Sequence, residues 1–291
     1  CETPMPLNTK MVGEQSELIK HSVDARWIMA YAAGLEDCNP LYMDTSKGLV
    51  IGHPVFPVCL EWPAILSARN VDGNDSVTPE ESARGVHADH DLHIFKPIEA
   101  GETYSTRATI TSLKAIKPGA AQMTRLDTTD SSGELVARTW QLGISRGANI
   151  IGDDTVDEEA PALPDFGSIP AAHQQFEIPV REGAANIYTE TAHIWNPIHS
   201  DKAFALAAGL PDIILHGTAT LALGISCLVN EFLGGDSRRV RRLGGRFSGM
   251  VVMPNTLTVE VNRQSDELIG FNIVDSNDQL IFSHGFLVFE N

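Results

Sequence analysis

Two stretches of the chain are apolar on almost every side, and strand-like runs follow each of them. "HGTATLALGISCLVNEF" (216–232) keeps no polar stripe, the mark of a helix buried all round. Its counterpart, "VFPVCLEWPAILSA" (55–68), contains Pro57 and Pro63, and Pro63 is expected to kink or shorten a helix there. Behind the earlier helix, "TYSTRATITSL" (103–113) and "ELVARTWQLGI" (134–144) read as strands; behind the later one, "TLTVEVNRQ" (256–264) and "LIFSHGFLVFE" (280–290) do. A Ser-Ser-Gly turn and a Ser-Asn-Asp turn precede the last strand of each set. A buried helix followed by antiparallel strands predicts a sheet wrapped around that helix, twice over.

The two sets are copies. "YTETAHIWNPIHSD" (188–201) aligns without a gap to "YAAGLEDCNPLYMD" (31–44), "RFSGMVVMPNT" (246–256) to "HIFKPIEAGET" (93–103), and "DSNDQLI" (275–281) to "DSSGELV" (130–136). The matches keep their order and the offset drifts slowly, as small insertions produce. Between the copies, "GDDTVDEEAPALPDFGSIPAAHQQ" (152–175) is acidic and rich in Pro and Gly, which is linker composition. The expected organisation is a first half over 1–150, a linker over 151–175 and a second half over 176–291.

Composition narrows the class. The chain has 291 residues, is 43% hydrophobic and 20% charged, and carries a formal net charge of −17. That charge argues against nucleic acid or an anionic membrane as the main partner. No apolar run reaches the roughly 18 residues of a membrane span, so a cytoplasmic protein acting on a small molecule is expected, with a homodimer open. Cys59 and Cys227 lie in apolar runs and read as buried free thiols; Cys1 and Cys38 make no CxxC with them. Neither a cofactor nor a metal is expected. "HADHDLH" (87–93) would place His87, Asp89, Asp91 and His93 on one face of a strand, but a solvated or interdomain polar strand is favoured over a metal site. The Gly-Gly at 244–245 reads as a loop.

Chemistry concentrates in the second half. Asn196-Pro197-Ile198-His199 makes a tight turn, Asp201 is expected to cap a short helix ending near Ala208-Gly209, and His216-Gly217 opens the buried helix. These residues, with Ile214, resemble the motif of the MaoC-like dehydratases, the hydratase-2 group of hot-dog-fold proteins. The resemblance spans both halves and is sharp over 188–224. It implies an α+β fold of two tandem hot dogs related by a pseudo-twofold axis. It also implies hydration of trans-2-enoyl-CoA to (R)-3-hydroxyacyl-CoA, or the reverse dehydration. His199 would then be the general acid and base, Asn196 would orient the water or the turn, and the N–H of Gly217 would hold the oxyanion.

One position departs from that pattern. The family's aspartate, two residues before the Asn, is Ile194 here, while the first half has Asp37 but carries Tyr42 in place of the histidine. Candidate partners for His199 are therefore His193, Asp37 and His216. Tyr188, Ile194 and Trp195 are candidates for substrate contact, although Tyr188 and Tyr31 read first as core. Arg238, Arg239, Arg241 and Arg242 would either grip the phosphates of a CoA tail or form a solvated face. Three functions stay open: a hydratase/dehydratase, a tailoring dehydratase, isomerase or cyclase of a polyketide-like substrate, and a degenerate acyl-binding or scaffold protein.

Overall fold

The computed structural model describes residues 6–74, 85–164 and 172–291; Cys1 and part of the expected linker lie outside them. The first half opens with β1 (Pro6–Asn8), β2 (Ile19–Val23), α1 (Ala25–Gly34), α2 (Pro40–Met43) and α3 (Pro57–Ala68). Four long strands follow: β3 (Gly85–Ile94), β4 (Glu102–Ile116), β5 (Gly119–Thr129) and β6 (Leu135–Arg146). The short β7 (Asn149–Ile151) pairs with β1, and β8 (Thr155–Val156) with β4. The second half repeats the plan with β9 (Gln174–Val180), α4 (Ala184–Ala192), α5 (Lys202–Ala207), α6 (Gly217–Phe232), β10 (Val240–Phe247), β11 (Asn255–Gln264), β12 (Leu268–Val274) and β13 (Leu280–Phe289).

One antiparallel sheet carries both halves, in the order β2-β4-β5-β6-β3-β10-β13-β12-β11-β9. Replacing each strand by its repeat partner reverses that order into itself, so a pseudo-twofold axis passes between β3 and β10. Each half curls its five strands around its own helix, α3 or α6. This is the double hot dog that the repeats imply. At the seam, Arg242 stands opposite His93, Gly244 opposite Asp91 and Arg246 opposite Asp89.

The α6 core is aromatic and aliphatic: Phe271, Ile273, Phe282 and Phe286 are fully buried. Gly224 lets the helix come close, since a Cβ there would stand 2.9 Å from the Ile273 side chain. On the axis itself α1 packs against α4, and the hydroxyls of Tyr31 and Tyr188 meet at 3.2 Å. Both tyrosines are buried, Tyr31 completely. Gly34 permits the approach of the two helices, because a Cβ there would reach within 2.5 Å of Thr191 Oγ1.

Two expectations need correction. Gly244 and Gly245 form no loop but the middle of β10. A Cβ at Gly244 would stand 2.0 Å from the His90 carbonyl oxygen, so only glycine lets the seam strands close. The face shared by His87, Asp89, Asp91 and His93 is broken by a bulge between His87 and Asp89. His87 turns instead toward His90 and the Phe247 ring, at 5.3 and 4.6 Å, while Asp89 and Asp91 take up Arg246 and Arg242. Pro63 lies inside α3, which runs to Ala68 and at 12 residues is shorter than α6 at 16, as expected. Among the described residues no helix is long and apolar enough to cross a membrane.

Candidate active site

His199 is the last residue of a 3-10 turn, Pro197–His199, whose geometry follows from its neighbours. The Asn196 side chain accepts from the Ile198 N–H at 3.4 Å, and Pro197 supplies the first turn position. Directly after it, Asp201 caps α5 by accepting from the Phe204 N–H at 3.1 Å. The turn buries all but 9% of His199. Nδ1 lies 2.7 Å from the Ile214 carbonyl, which only accepts, so Nδ1 carries the proton and Nε2 is left as the bare nitrogen.

The second histidine lies flat against the first. The rings of His199 and His216 stack with centroids 3.7 Å apart and planes 23° from parallel. His216 precedes α6 and is 2% exposed. Its Nε2 faces two acceptors: the Ile194 carbonyl at 3.3 Å and, at 3.4 Å, a Thr189 hydroxyl already donating to Ala185. Nε2 therefore holds the proton, and the buried Nδ1 has no partner. Burial lowers both rings: His199 to about 4, opposed by its bond to Ile214, and His216 well below the ordinary histidine value, where His199 lowers it further. Both are neutral near pH 7.

Gly217 starts α6 and is exposed. The first amides of a helix have no acceptor within it and sit at its positive end. A Phe247 ring covers the glycine so closely that a Cβ would come within 3.0 Å of it. Tyr188 reaches the same turn, donating to Thr218 Oγ1 at 3.2 Å, with its ring 4.9 Å from that of His216. The arrangement sets the bare Nε2 of His199 near a helix N-terminus, chemistry that suits proton transfer beside a developing anion.

The remaining candidates fall elsewhere. Ile194 is buried in the core, and its contact with the pair is the carbonyl that His216 meets. His193 is sandwiched between Trp27, at 4.3 Å, and the exposed Trp195, at 5.3 Å, and makes no bond to His199. Asp37 stays in its own half, accepting from the Asn39 N–H at 3.1 Å. The four arginines are engaged within the chain: Arg238 with Asp236, Arg239 with the Glu290 carbonyl, Arg241 with Glu290 and Arg242 with Asp91. Among the described residues no three His, Cys, Asp or Glu side chains converge to hold a metal ion.

The first half contains a histidine that the motif search missed. His53 occupies the place of His216, with Tyr42 in that of His199, their rings 5.5 Å apart. His53 Nδ1 accepts from the Val55 N–H at 3.1 Å, so its Nε2 donates to Ser226 Oγ on α6 at 3.0 Å. The signal was Ile-Gly-His at 51–53, disguised because Pro54 stands where the other half has Gly217.

Comparison with known proteins agrees with this geometry. Residues 165–279 match the MaoC like domain, and residues 10–139 match the FAS1-like, dehydratase domain region. The enoyl-CoA hydratase ChsH3 of Mycobacterium tuberculosis is 31% identical over 46% of this chain and 43% of its own, so less than half of that relative is matched. The peroxisomal enoyl-CoA hydratase 2 of Arabidopsis thaliana is 25% identical over 83% of this chain and 82% of its own. A MaoC-like dehydratase from Phytophthora capsici superposes with a TM-score of 0.83 at 19% identity, over 98% of both chains. With a match to the MaoC like domain in its second half, a match to a dehydratase domain region in its first and one sheet joining them, the chain is a double hot dog similar to the MaoC-like proteins.

Proposed function

We propose that the second half hydrates an enoyl thioester, or runs the reverse dehydration, with His199 as the single acid–base residue. The observation that carries this reading is the His199–His216 stack set beside the exposed helix end at Gly217. In the hydration direction His199 Nε2 removes a proton from water while the water oxygen bonds to carbon 3. The displaced π electrons move onto the thioester oxygen, and the N–H of Gly217 holds the resulting oxyanion. The protonated Nε2 then delivers its proton to carbon 2 as the enolate collapses. Dehydration is the same path reversed.

His216 takes the part that the resemblance gives to the aspartate missing at Ile194. Its ring lies flat against the base. Stacking keeps the pair from holding two charges, so a proton taken by His199 is readily returned. The first half shapes the acyl side of the cleft. Relatives named as enoyl-CoA hydratases support coenzyme A as the carrier.

The test is hydration of crotonyl-CoA and longer enoyl-CoAs by the wild type and His199→Ala, with folding followed by circular dichroism. The variant is expected to lose on the order of 10²–10⁴-fold in kcat/KM. Equal rates for the two folded proteins would overturn the role of His199.

A further inference from the structure

A cleft apart from the His199 turn is lined by residues of both halves. It has a volume of about 790 Å³ and lies where the turn after α1 meets β9 and the outer face of α6. Phe176 and Ile178 give it apolar walls, and the carboxylates of Glu36, Asp37, Glu177 and Glu231 line it without any Lys, Arg or His. Glu36 is paired with Arg181 at 2.6 Å.

Asp37 makes this more than an acidic patch. It is 6% exposed, and only one of its oxygens has a donor, the Asn39 N–H. The other oxygen, Oδ2, is buried without a partner. The buried hydroxyls of Tyr42 and Ser237 lie against each other nearby. Asp37 belongs both to the cleft wall and to this polar cluster, since its charge acts on Tyr42 and on His53. Buried acceptors without donors are costly, and a site that keeps them calls for a group bringing N–H bonds and positive charge.

Charge selects among such groups. A CoA phosphate or a free carboxylate meets only like charge here, so this is no second acyl-CoA site. A metal ion is disfavoured by the donor set, because among the described residues no three suitable side chains converge. A primary ammonium has three N–H donors and one positive charge, and the apolar walls suit a carbon skeleton behind it. We propose that this cleft binds a protonated primary amine on an apolar body, the ammonium against Asp37 and the skeleton against Phe176 and Ile178.

Calorimetric titration of the full chain with cyclohexylmethylammonium, cyclohexylmethanol and cyclohexanecarboxylate tests it. The ammonium is expected to bind one to one, about tenfold or more tighter than the alcohol, with no binding of the carboxylate. Asp37→Asn should weaken it by about tenfold. If that variant does not fold, Glu177→Gln combined with Glu231→Gln, both exposed, should weaken it about threefold and leave crotonyl-CoA hydration unchanged. Equal affinity for the three probes, or wild-type affinity in the folded variants, overturns the proposal.

Discussion

At His199 the two ring nitrogens have separate tasks, and the backbone assigns them. An aspartate is not needed to fix the tautomer, because the Ile214 carbonyl at 2.7 Å does so. Burial then keeps the ring neutral, with its pKa lowered to about 4. A base that is already neutral gains nothing as pH rises through the ordinary histidine range. The hydration rate should therefore be level across roughly pH 6–8, with no inflection near 6.5; such an inflection in a kcat/KM profile would mean an exposed imidazole is the base. Ile194 gives a second check. Its side chain belongs to the core, so Ile194→Asp places a carboxylate in apolar packing. Its hydration rate should not exceed that of the wild type, whereas activity arising from an inactive wild type would show a decayed site.

Between the halves the decisive element is the strand pair β3–β10. It is held by two-pronged bonds, Arg242 to Asp91 at 2.7 and 2.8 Å and Arg246 to Asp89 at 2.6 and 2.9 Å. Gly244→Ala should destabilise the chain by about 3 kcal/mol or more in urea unfolding, because the clash is with backbone that cannot rotate away. An unchanged midpoint would contradict the close contact. This seam was the part of the fold least legible in the sequence. The repeats, the Asn-Pro turns and the buried helix at 216–232 announce themselves through local pattern. Arg238–Arg242 and "HADHDLH" are far apart in the chain, and each alone resembles a surface or ligand feature; only pairing reveals two halves of one interface. His53 escaped for a different reason, since Pro54 hides the dipeptide that marks its partner helix. The stacking of His199 on His216 was equally out of reach, as no spacing rule connects a turn to a helix end 17 residues later.

For the molecule as a whole, buried histidines set the acid limit. His53, His90 and His199 are each lowered to about 4 by burial, and His87 and His216 are held well below the ordinary histidine value. The unfolded chain takes up protons below about pH 6.5 that the folded chain refuses, so stability falls as pH drops from about 6.5 toward 4. Each ring contributes on the order of 3 kcal/mol at the bottom of that window, and a few such rings exhaust a typical domain's stability. Glu61 works the other way. Burial raises it to about 7, so its contribution is present at low pH and is lost between about pH 4.5 and 7, but it is one group against five. Near-ultraviolet circular dichroism should show cooperative unfolding above about pH 4; native packing retained at pH 4 would contradict neutral burial of these rings. The tyrosines on the axis carry a further consequence. In a pair of identical chains Tyr31 and Tyr188 would be one residue meeting its own copy, and every change to one cleft would be imposed on the other. Joining the copies in one polypeptide lifts that constraint, so that one side can keep His199 where the other has Tyr42 while both still meet across the same hydrogen bond.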